Sequence, residues 1–178
     1  MRPRARGGGS GASAPLTGRP HAPIGYAVRM SNPRPSWDEY FLDLAEQVSR
    51  RSPDPSTKHG CVLVDQDRRV ISTGYNGPVS GIPNGMVPTT RPDKYDWFIH
   101  AEDNAVAFAR CDLRGSTAYV TGIPCAACFR RLLQVGVKRI VHADRESKCI
   151  TDVEREACHQ MAEALGVEVV ARARQADE

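Results

Sequence analysis

Two short motifs in the middle of the chain combine residue types that bind a transition metal. The first is His100-Ala101-Glu102, and the second is Pro124-Cys125-Ala126-Ala127-Cys128. Two cysteines three residues apart at the start of a helix can direct both thiolates at one ion. A helix N-terminus also lowers the pKa of a thiol towards the thiolate form that a metal needs. With His100 at the head of a second helix, the motifs predict one imidazole and two sulfur ligands for Zn²⁺.

Three protein ligands leave one position of a tetrahedral zinc ion open, which is typical of catalytic rather than structural zinc. Zinc lowers the pKa of a bound water from ~15.7 towards ~7. Glu102, two residues beyond the predicted ligand His100, can lie beside that water as a proton shuttle. An H-x-E motif followed by P-C-x-x-C is typical of zinc-dependent nucleobase deaminases.

Three other interpretations of these motifs remain open. Cys125 and Cys128 could form a thioredoxin-like redox pair, although this leaves Pro124, His100 and Glu102 unexplained. The histidine and the glutamate could be ordinary residues at a helix start. A purely structural zinc site would need a fourth Cys or His nearby, and none is obvious.

Hydrophobic spacing and capping signals predict the elements that must position these motifs. Four helices are expected, at about 37–51, 100–111, 124–135 and 151–165. Five strands are expected, at about 61–64, 69–73, 117–121, 140–141 and 167–171. The order α-β-β-α-β-α-β-α-β predicts an α/β fold with three α/β/α layers, in which helices cover both faces of a mixed five-stranded sheet. A long Gly/Pro-rich loop at about 74–96 is expected to be functional or mobile.

Composition divides the chain into a leader, a domain and a tail. Residues 1–35 hold six Pro, six Gly and six Arg but no acidic residue, and almost nothing apolar that could be buried. We expect a disordered leader there, with an organellar transit peptide or a basic arm as alternatives. The deaminase domain is expected at 36–172, followed by a disordered tail at 173–178.

Charge, hydropathy and cysteine content narrow the class of protein. No apolar run approaches the ~18 residues of a membrane span. The net charge of +3 comes from the leader, and residues 36–178 carry −3, which argues against a nucleic-acid partner. The six cysteines come without a signal peptide, which favours a reducing, cytoplasmic location. Cys61, Cys111, Cys149 and Cys158 are expected to be small buried residues.

From about residue 36 to 145 the chain resembles the deoxycytidylate (dCMP) deaminase family, part of the zinc-dependent cytidine and deoxycytidylate deaminases. Three stretches carry the resemblance: Asp54–Asp65, Ser72–Gly77, and Lys94–Ala105 continued by Tyr119–Thr121 and the cysteine pair. The Gly74-Tyr75-Asn76-Gly77 segment and the insertion after it favour the nucleotide-acting branch. His59 and Cys61 depart from the family, because small or aliphatic residues are common at both positions.

The resemblance implies hydrolytic deamination of dCMP to dUMP, with water attacking C4 of cytosine and Glu102 carrying protons to N3 and to the departing amine. It implies one catalytic Zn²⁺ per chain and a homo-oligomer, either a dimer or a hexamer. The base edge would be bound by the backbone of Ala101 and by the segment from Thr121 to Ile123. Asn76 would bind the sugar or phosphate side, unless it only tolerates a left-handed turn. The candidates for the phosphate contact are Lys58, Arg91 and Lys94.

Two other functions remain as alternatives. The first is a related deaminase that acts on another cytosine nucleotide, nucleoside or modified base. The second is a deaminase-like module that senses nucleotides without catalysis. The complete set of His100, Glu102, Cys125 and Cys128 argues against this second alternative.

Overall fold

The computed structural model describes residues 34–145 and 149–173 of the chain. Chain contacts divide the protein into two units, and the described residues all lie in the second, Arg34–Glu178. Nearly all of the predicted leader at 1–35 and of the predicted tail at 173–178 lies outside the described residues.

The predicted order of helices and strands is confirmed, with ends that differ by a few residues. The helices are α1 (Trp37–Ser49), α2 (Ala101–Phe108), α3 (Ala126–Gln134) and α4 (Asp152–Ala164). The strands are β1 (Gly60–Val64), β2 (Val70–Tyr75), β3 (Gly77–Pro78), β4 (Phe98–Ile99), β5 (Thr117–Val120), β6 (Arg139–Ala143) and β7 (Glu168–Arg172). The short pair β3–β4 lies within and just after the predicted loop, which also contains 3-10 turns at Asn84–Met86 and Asp93–Asp96.

The main sheet has five strands, as predicted, and they lie in the order β2-β1-β5-β6-β7. β1 is antiparallel to both of its neighbours, whereas β5, β6 and β7 run parallel to one another. Parallel neighbours need a crossover connection, and helices α3 and α4 supply it between β5 and β6 and between β6 and β7. The sheet is therefore mixed.

Helices cover both faces of this sheet, because its central strands alternate their side chains between two apolar clusters. Val62 and Val64 of β1 pack with Phe41 and Ala45 of α1. Cys61 and Leu63 point the other way, into a larger cluster. This cluster includes the α2 residues Ala101 and Ala105, the α3 residues Phe129 and Leu132, and the α4 residues Cys158 and Ala162. The three-layer α/β/α architecture is confirmed.

Capping and ion pairing fix α1 at its N-terminus. Ser36 and Glu39 form the predicted capping box, in which the Ser36 N–H donates to Glu39 Oε2 at 2.6 Å. In the first turn, buried Asp38 accepts two hydrogen bonds from Arg139, at 2.6 and 2.9 Å, and two from Arg172, at 2.8 and 3.2 Å. The same carboxylate therefore joins α1 to β6 and to the edge strand β7.

The cysteines outside the C-x-x-C pair have two different environments. Cys61 and Cys158 are buried, as expected. Cys111 and Cys149 are exposed, so the prediction was wrong for these two. Cys111 lies beyond the end of α2 and Cys149 lies in the connection before α4, both outside the sheet and helix faces that form the core.

Candidate active site

The two motifs meet because both begin helices on the same face of the sheet. His100 is the N-cap residue of α2 and Cys125 is the N-cap residue of α3, while Cys128 lies in the first turn of α3. Neither His100 nor Cys125 uses its side chain to cap its own helix. Their donor atoms are therefore available to each other and to an ion.

The three side chains place their donor atoms at the spacing of zinc ligands. His100 Nδ1 lies 3.4 Å from Cys125 Sγ and 3.3 Å from Cys128 Sγ. All three donor atoms lie within 4.8 Å of one another, and they form the one such group among the described residues. A tetrahedral ion with Zn–N of about 2.0 Å and Zn–S of about 2.3 Å separates its ligand atoms by about 3.5 Å. The residues present therefore fit Zn²⁺.

The electrostatics of this triad favour the metal-binding thiolate at Cys125, whereas the hydrogen bond to that thiolate raises the pKa of Cys128 and keeps it protonated. Hydrogen bonds from Cys128 and His100 lower the pKa of Cys125 to about 3, so its thiolate is the stable form. The hydrogen bond to this thiolate raises the pKa of His100 to about 9. Without a metal, protonated His100 and the Cys128 thiol both donate hydrogen bonds to the negatively charged sulfur of Cys125. A divalent cation can replace those protons, since a thiolate and a neutral imidazole are the ligand forms of these side chains.

Glu102 lies beside the triad, one residue into α2. It is only 6% exposed, yet its side chain lines a cavity and makes no hydrogen bond to another described residue. Burial is the main cause that raises the pKa of this carboxyl to about 7. A carboxyl with such a pKa can both accept and donate a proton near neutral pH.

The close approach of α2 to β2 fixes the position of His100 and Glu102. A Cβ atom on Gly74 would lie 2.1 Å from the Ala101 carbonyl oxygen and 2.4 Å from the Ala105 nitrogen. Only glycine therefore lets this helix pack directly on the strand. Asn104 adds a hydrogen bond from its side chain to the Tyr75 carbonyl, at 2.8 Å.

The triad opens into a cavity of about 640 Å³. This volume suits a small-molecule ligand. The predicted residues His100, Ala101, Glu102, Cys125, Ile123, Asn76 and Lys58 all line it. It is also lined by Asp54, Ser56, Thr57, His59, Arg91, Lys94, Tyr95, Phe98, Gly122, Arg145 and Cys149.

Asn76 is buried and joins the loop before β1 to the cavity wall. Its Oδ1 accepts the His59 N–H at 2.7 Å, and its Nδ2 donates to the Thr57 carbonyl at 2.9 Å. Among the described non-glycine residues only Arg68 has a positive φ, so the left-handed turn considered for Asn76 does not form. In this structure the Asn76 amide shapes the segment that carries Thr57 and His59.

Thr121 and Ile123 occupy different positions relative to the cavity. Ile123 is on its surface. Thr121 is wholly buried behind the wall, where its hydroxyl accepts the Gly60 N–H at 3.1 Å. The segment 121–123 thus presents Gly122 and Ile123 to a ligand, while Thr121 connects it to β1.

Lys94, one candidate for binding a phosphate, is instead part of a buried ion pair. Its Nζ lies 2.7 Å from Asp54 Oδ2, and both side chains are 4% exposed. It also donates to Ser56 Oγ at 2.7 Å. A positive charge that is neutralised and enclosed in this way stabilises the loop at 54–57.

Sequence reasoning did not assign a role in the cavity to His59, Tyr95, Phe98 or Arg145. The available signal for His59 is its residue type, which departs from the family within an otherwise matching motif. Arg145 reaches the cavity from the end of β6 and forms an ion pair with Glu46 of α1. No local sequence pattern predicts such a contact between residues that are 99 positions apart.

The chain was compared with known protein families and with curated proteins. A sequence model of the cytidine and deoxycytidylate deaminase zinc-binding region matches residues 35–144. A deoxycytidylate deaminase of Mycobacterium phage D29 is 39% identical over 123 residues, which cover 61% of this chain and 95% of the phage protein. A probable deoxycytidylate deaminase of Caenorhabditis elegans is 40% identical over 105 residues, 56% of this chain. The matched region spans about half, 53%, of the nematode protein.

Solved structures agree with the sequence comparison. The dCMP deaminase of the cyanophage S-TIM5, in complex with dCMP and dUMP, superposes with a TM-score of 0.60 at 25% identity. The match covers 79% of this chain and all of the cyanophage chain. The apo form of the same cyanophage enzyme gives a TM-score of 0.59 at 26% identity. Since the family match spans more than half of the chain and includes both metal-site motifs, this chain belongs to the cytidine and deoxycytidylate deaminase family with its zinc-binding region.

Proposed function

We propose that this chain catalyses the zinc-dependent hydrolytic deamination of dCMP to dUMP, with release of ammonia. The observation that carries the proposal is the His100–Cys125–Cys128 triad at the wall of a nucleotide-sized cavity, with buried Glu102 beside it. The relatives named deoxycytidylate deaminase and the cyanophage enzyme in complex with dCMP and dUMP support this choice of substrate.

In this proposal His100 Nδ1 and the sulfur atoms of Cys125 and Cys128 hold the metal. When bound, zinc supplies Lewis-acid activation of water at neutral pH. The protein contributes a fixed arrangement of ligands, because two are the N-cap residues and the third lies in the first turn of helices packed on the sheet. It also contributes a partly enclosed site, which strengthens electrostatic interactions with the substrate.

Glu102 moves the protons of the reaction. Its carboxylate accepts a proton from the attacking water and delivers it to N3 of cytosine, which makes C4 more electrophilic. It then carries the second proton to the amine at C4, so that ammonia can leave. A single carboxyl can perform both transfers because it is buried, faces the cavity and has a pKa near neutrality.

The base and sugar are held by groups on the inner wall. The Ala101 backbone and the segment that contains Ile123 are the proposed contacts to the base edge. Asn76 is the proposed residue on the sugar side. It lines the cavity there and holds the neighbouring segment with Thr57 and His59 in place. The cavity lining, which includes Ala101, Ile123 and Asn76, supports these assignments.

The phosphate is proposed to bind at Arg91, with Lys58 as a second cation. Of the four described Lys and Arg residues that line the cavity, Lys94 and Arg145 pair with carboxylates. Arg91 has no such partner among the described ion pairs, and its guanidinium is positioned by the Thr57 hydroxyl at 3.3 Å and by the face of the Tyr95 ring. It can therefore neutralise a ligand anion, and a bidentate guanidinium–phosphate contact is a strong one.

A panel of substrates tests the proposal. Zinc-loaded protein is incubated with dCMP, CMP, deoxycytidine and dCTP, and ammonia release is measured. We expect the highest kcat/KM on dCMP. Equal kcat/KM on deoxycytidine would remove the nucleotide assignment, and a higher value on another base would indicate the related deaminase considered above. Binding of dCMP without any turnover would indicate a nucleotide-sensing module.

We further propose that the protein forms a homo-oligomer, a dimer or a hexamer, in the cytoplasm. Several large apolar side chains are exposed on the single chain, including Tyr40, Tyr95 and Phe108. Light scattering after size-exclusion chromatography tests the oligomer, and a monomeric mass would contradict it.

None of the described helices has the length and apolar character needed to cross a bilayer.

A further inference from the structure

The imidazole of His59 lies in the cavity wall and has no role in the mechanism above. His59 precedes β1, opposite Gly122, where a Cβ atom would be 3.6 Å from the His59 Cε1 atom. It is partly buried, and the removal from water lowers its pKa below the ordinary value, so the ring is neutral at pH 7. A neutral imidazole carries one N–H donor and one N acceptor, and its surroundings decide which nitrogen has the proton.

The backbone of His59 is held on both sides, so the ring has a defined position. Its N–H donates to Asn76 Oδ1 at 2.7 Å, and its carbonyl accepts the Asn76 N–H at 3.2 Å. The next residue, Gly60, packs so closely on α1 that a Cβ atom would lie 2.0 Å from the Ala45 carbonyl oxygen. The segment cannot shift towards the helix.

Thr121 determines the tautomer of the ring. Its hydroxyl oxygen accepts the Gly60 N–H and lies 3.4 Å from His59 Nδ1. This is a long hydrogen bond, but Thr121 is 0% exposed, and among the described residues its hydroxyl proton has no other acceptor. Because a buried hydroxyl proton without an acceptor is costly, Thr121 donates to Nδ1. The proton of the imidazole is then on Nε2.

The Nε2–H group is left without a hydrogen-bond partner from the described part of the chain. Since the ring lines the cavity, this donor is available to a ligand. A nucleotide has acceptors in the carbonyl oxygen of its base and in the oxygens of its sugar. The cations Arg91 and Lys58 are the groups suited to its phosphate. A rigid neutral donor on the inner wall therefore complements the uncharged part of the nucleotide.

We propose that His59 is a substrate-positioning residue, which donates a hydrogen bond from Nε2–H to an oxygen of the base or sugar of the bound nucleotide. The identity of the ligand rests on the proposed function, whereas the tautomer rests only on the contacts of Thr121. The position therefore gives this chain a polar donor where small or aliphatic side chains are common in the family.

The binding test uses dUMP, which the enzyme does not deaminate, as the probe in calorimetry of the zinc-loaded full chain. We expect His59→Val to weaken dUMP binding about tenfold, the value of one lost hydrogen bond. His59→Gln, whose amide nitrogen reaches the position of Nε2, should stay within about threefold of wild type. His59→Asn, whose amide is limited to the position of Nδ1, should resemble the valine variant.

The same variants are assayed on dCMP, and exposed His159 of α4 supplies the matched control. For His59→Val the KM should rise by about the same factor as the dissociation constant of dUMP, while His159→Val should leave both unchanged. Zinc content and melting temperature are measured for every variant. If His59→Val does not fold, the comparison of His59→Gln with His59→Asn decides the question.

The tautomer is measured independently by long-range ¹H–¹⁵N NMR of wild type labelled at histidine, with the His59 signals assigned from their loss in His59→Gln. The account predicts the Nε2–H pattern without ligand and a downfield shift of that proton when dUMP binds. Equal dUMP affinity of wild type and His59→Val, or an Nδ1–H pattern, would overturn the inference alone. A wild type that gives the Nε2–H pattern but binds no dUMP would instead overturn the proposed function, and the substrate contact with it.

Discussion

At the scale of single residues, the proposed mechanism gives separate roles to three metal ligands and one carboxyl. The described hydrogen bonds of the His100, Cys125 and Cys128 side chains join these three residues to one another. No other described side chain competes for their donor atoms. Glu102 is close in sequence to the triad but forms no part of the ligand group. Binding of zinc and transfer of protons should therefore be separable by mutation.

Glu102→Gln should retain zinc and lose activity. The amide keeps the shape of the side chain but cannot accept the proton of the attacking water. Loss of a general acid–base group lowers kcat by about 10²–10⁴-fold. Ammonia release from dCMP and the zinc content per chain are the two measurements. Glu163→Gln on the exposed face of α4 is the control, and activity of Glu102→Gln close to that of the control would contradict the role.

The residues of the triad and Glu102 were predictable from sequence because each belongs to a short motif with fixed spacing. His59 and Lys94 were not predictable in the same way. The burial of Lys94 against Asp54 and the contact of His59 with Thr121 join residues 40 and 62 positions apart. Such pairs depend on how the segment at 54–59 folds against the rest, which no local pattern specifies.

At the scale of elements, the site depends on one close contact between backbone segments. α2 carries His100 and Glu102, and it packs against β2 at Gly74. The hydrophobic pattern predicted both elements, yet it could not predict that their separation leaves no room for a methyl group. This separation is a property of the packed structure, and a glycine within a strand only suggests it.

Gly74→Ala should displace α2 and with it the metal site. The new methyl group would overlap the Ala101 carbonyl at 2.1 Å, and the neighbouring backbone cannot move as a flexible side chain would. We expect a loss of about 3 kcal/mol in the free energy of unfolding, together with reduced zinc content. Gly85→Ala is the control, since nothing lies within 4 Å of a Cβ atom there. Denaturant unfolding and metal analysis measure both effects, and equal behaviour of the two variants would refute the packing argument.

The contact of α1 with β6 and β7 predicts a pH dependence of stability. Hydrogen bonds from Arg139 are the main cause that lowers the pKa of Asp38 to about 2, from an ordinary value of 3.8. Between these values the unfolded chain binds more protons than the folded one, so stability rises with pH. The contribution is complete above about pH 5 and is lost as the pH falls towards 2.

Asp38→Asn removes this titration and isolates its effect. Wild type should be more stable at pH 6, because the variant removes the buried carboxylate from Arg139 and Arg172 and leaves Arg139 only its ion pair with exposed Glu168. From pH 6 to pH 3 the difference in the free energy of unfolding between wild type and variant should narrow by about 1 kcal/mol. Urea unfolding at both pH values measures it. A difference that stays constant or grows towards pH 3 would show that Asp38 is not the titrating group.

At the scale of the whole molecule, the fold brings two groups of residues to one cavity. One is the His100–Cys125–Cys128 triad, and the other is a cationic rim formed by Lys58 and Arg91. The proposed zinc ligands lie at the N-termini of α2 and α3, whereas Lys58 and Arg91 come from the segments before β1 and between β3 and β4. The sequence order of elements predicted the fold, because each hydrophobic run had its own period and boundary signals. It did not predict which cations face the cavity, since charged side chains in loops carry no periodic signal.

Arg91→Ala should therefore distinguish the nucleotide from the nucleoside. Loss of a charge-assisted contact to phosphate should raise the KM for dCMP about 10- to 100-fold. The KM for deoxycytidine, which has no phosphate, should change little. Arg69→Ala, in an exposed ion pair beside the β1–β2 turn, is the control. A similar change in KM for dCMP and deoxycytidine would assign Arg91 to folding of the rim instead of phosphate binding.

The central claim is that His100, Cys125 and Cys128 hold one catalytic zinc ion, and X-ray absorption spectroscopy of the purified protein tests it most directly. The account predicts about one zinc per chain, with two sulfur scatterers at about 2.3 Å and nitrogen or oxygen scatterers at about 2.0 Å. Substitution of Cys128 by Ser should remove sulfur from this pattern or abolish zinc binding. A wild-type protein without zinc, or with zinc that has no sulfur neighbours, would contradict the account.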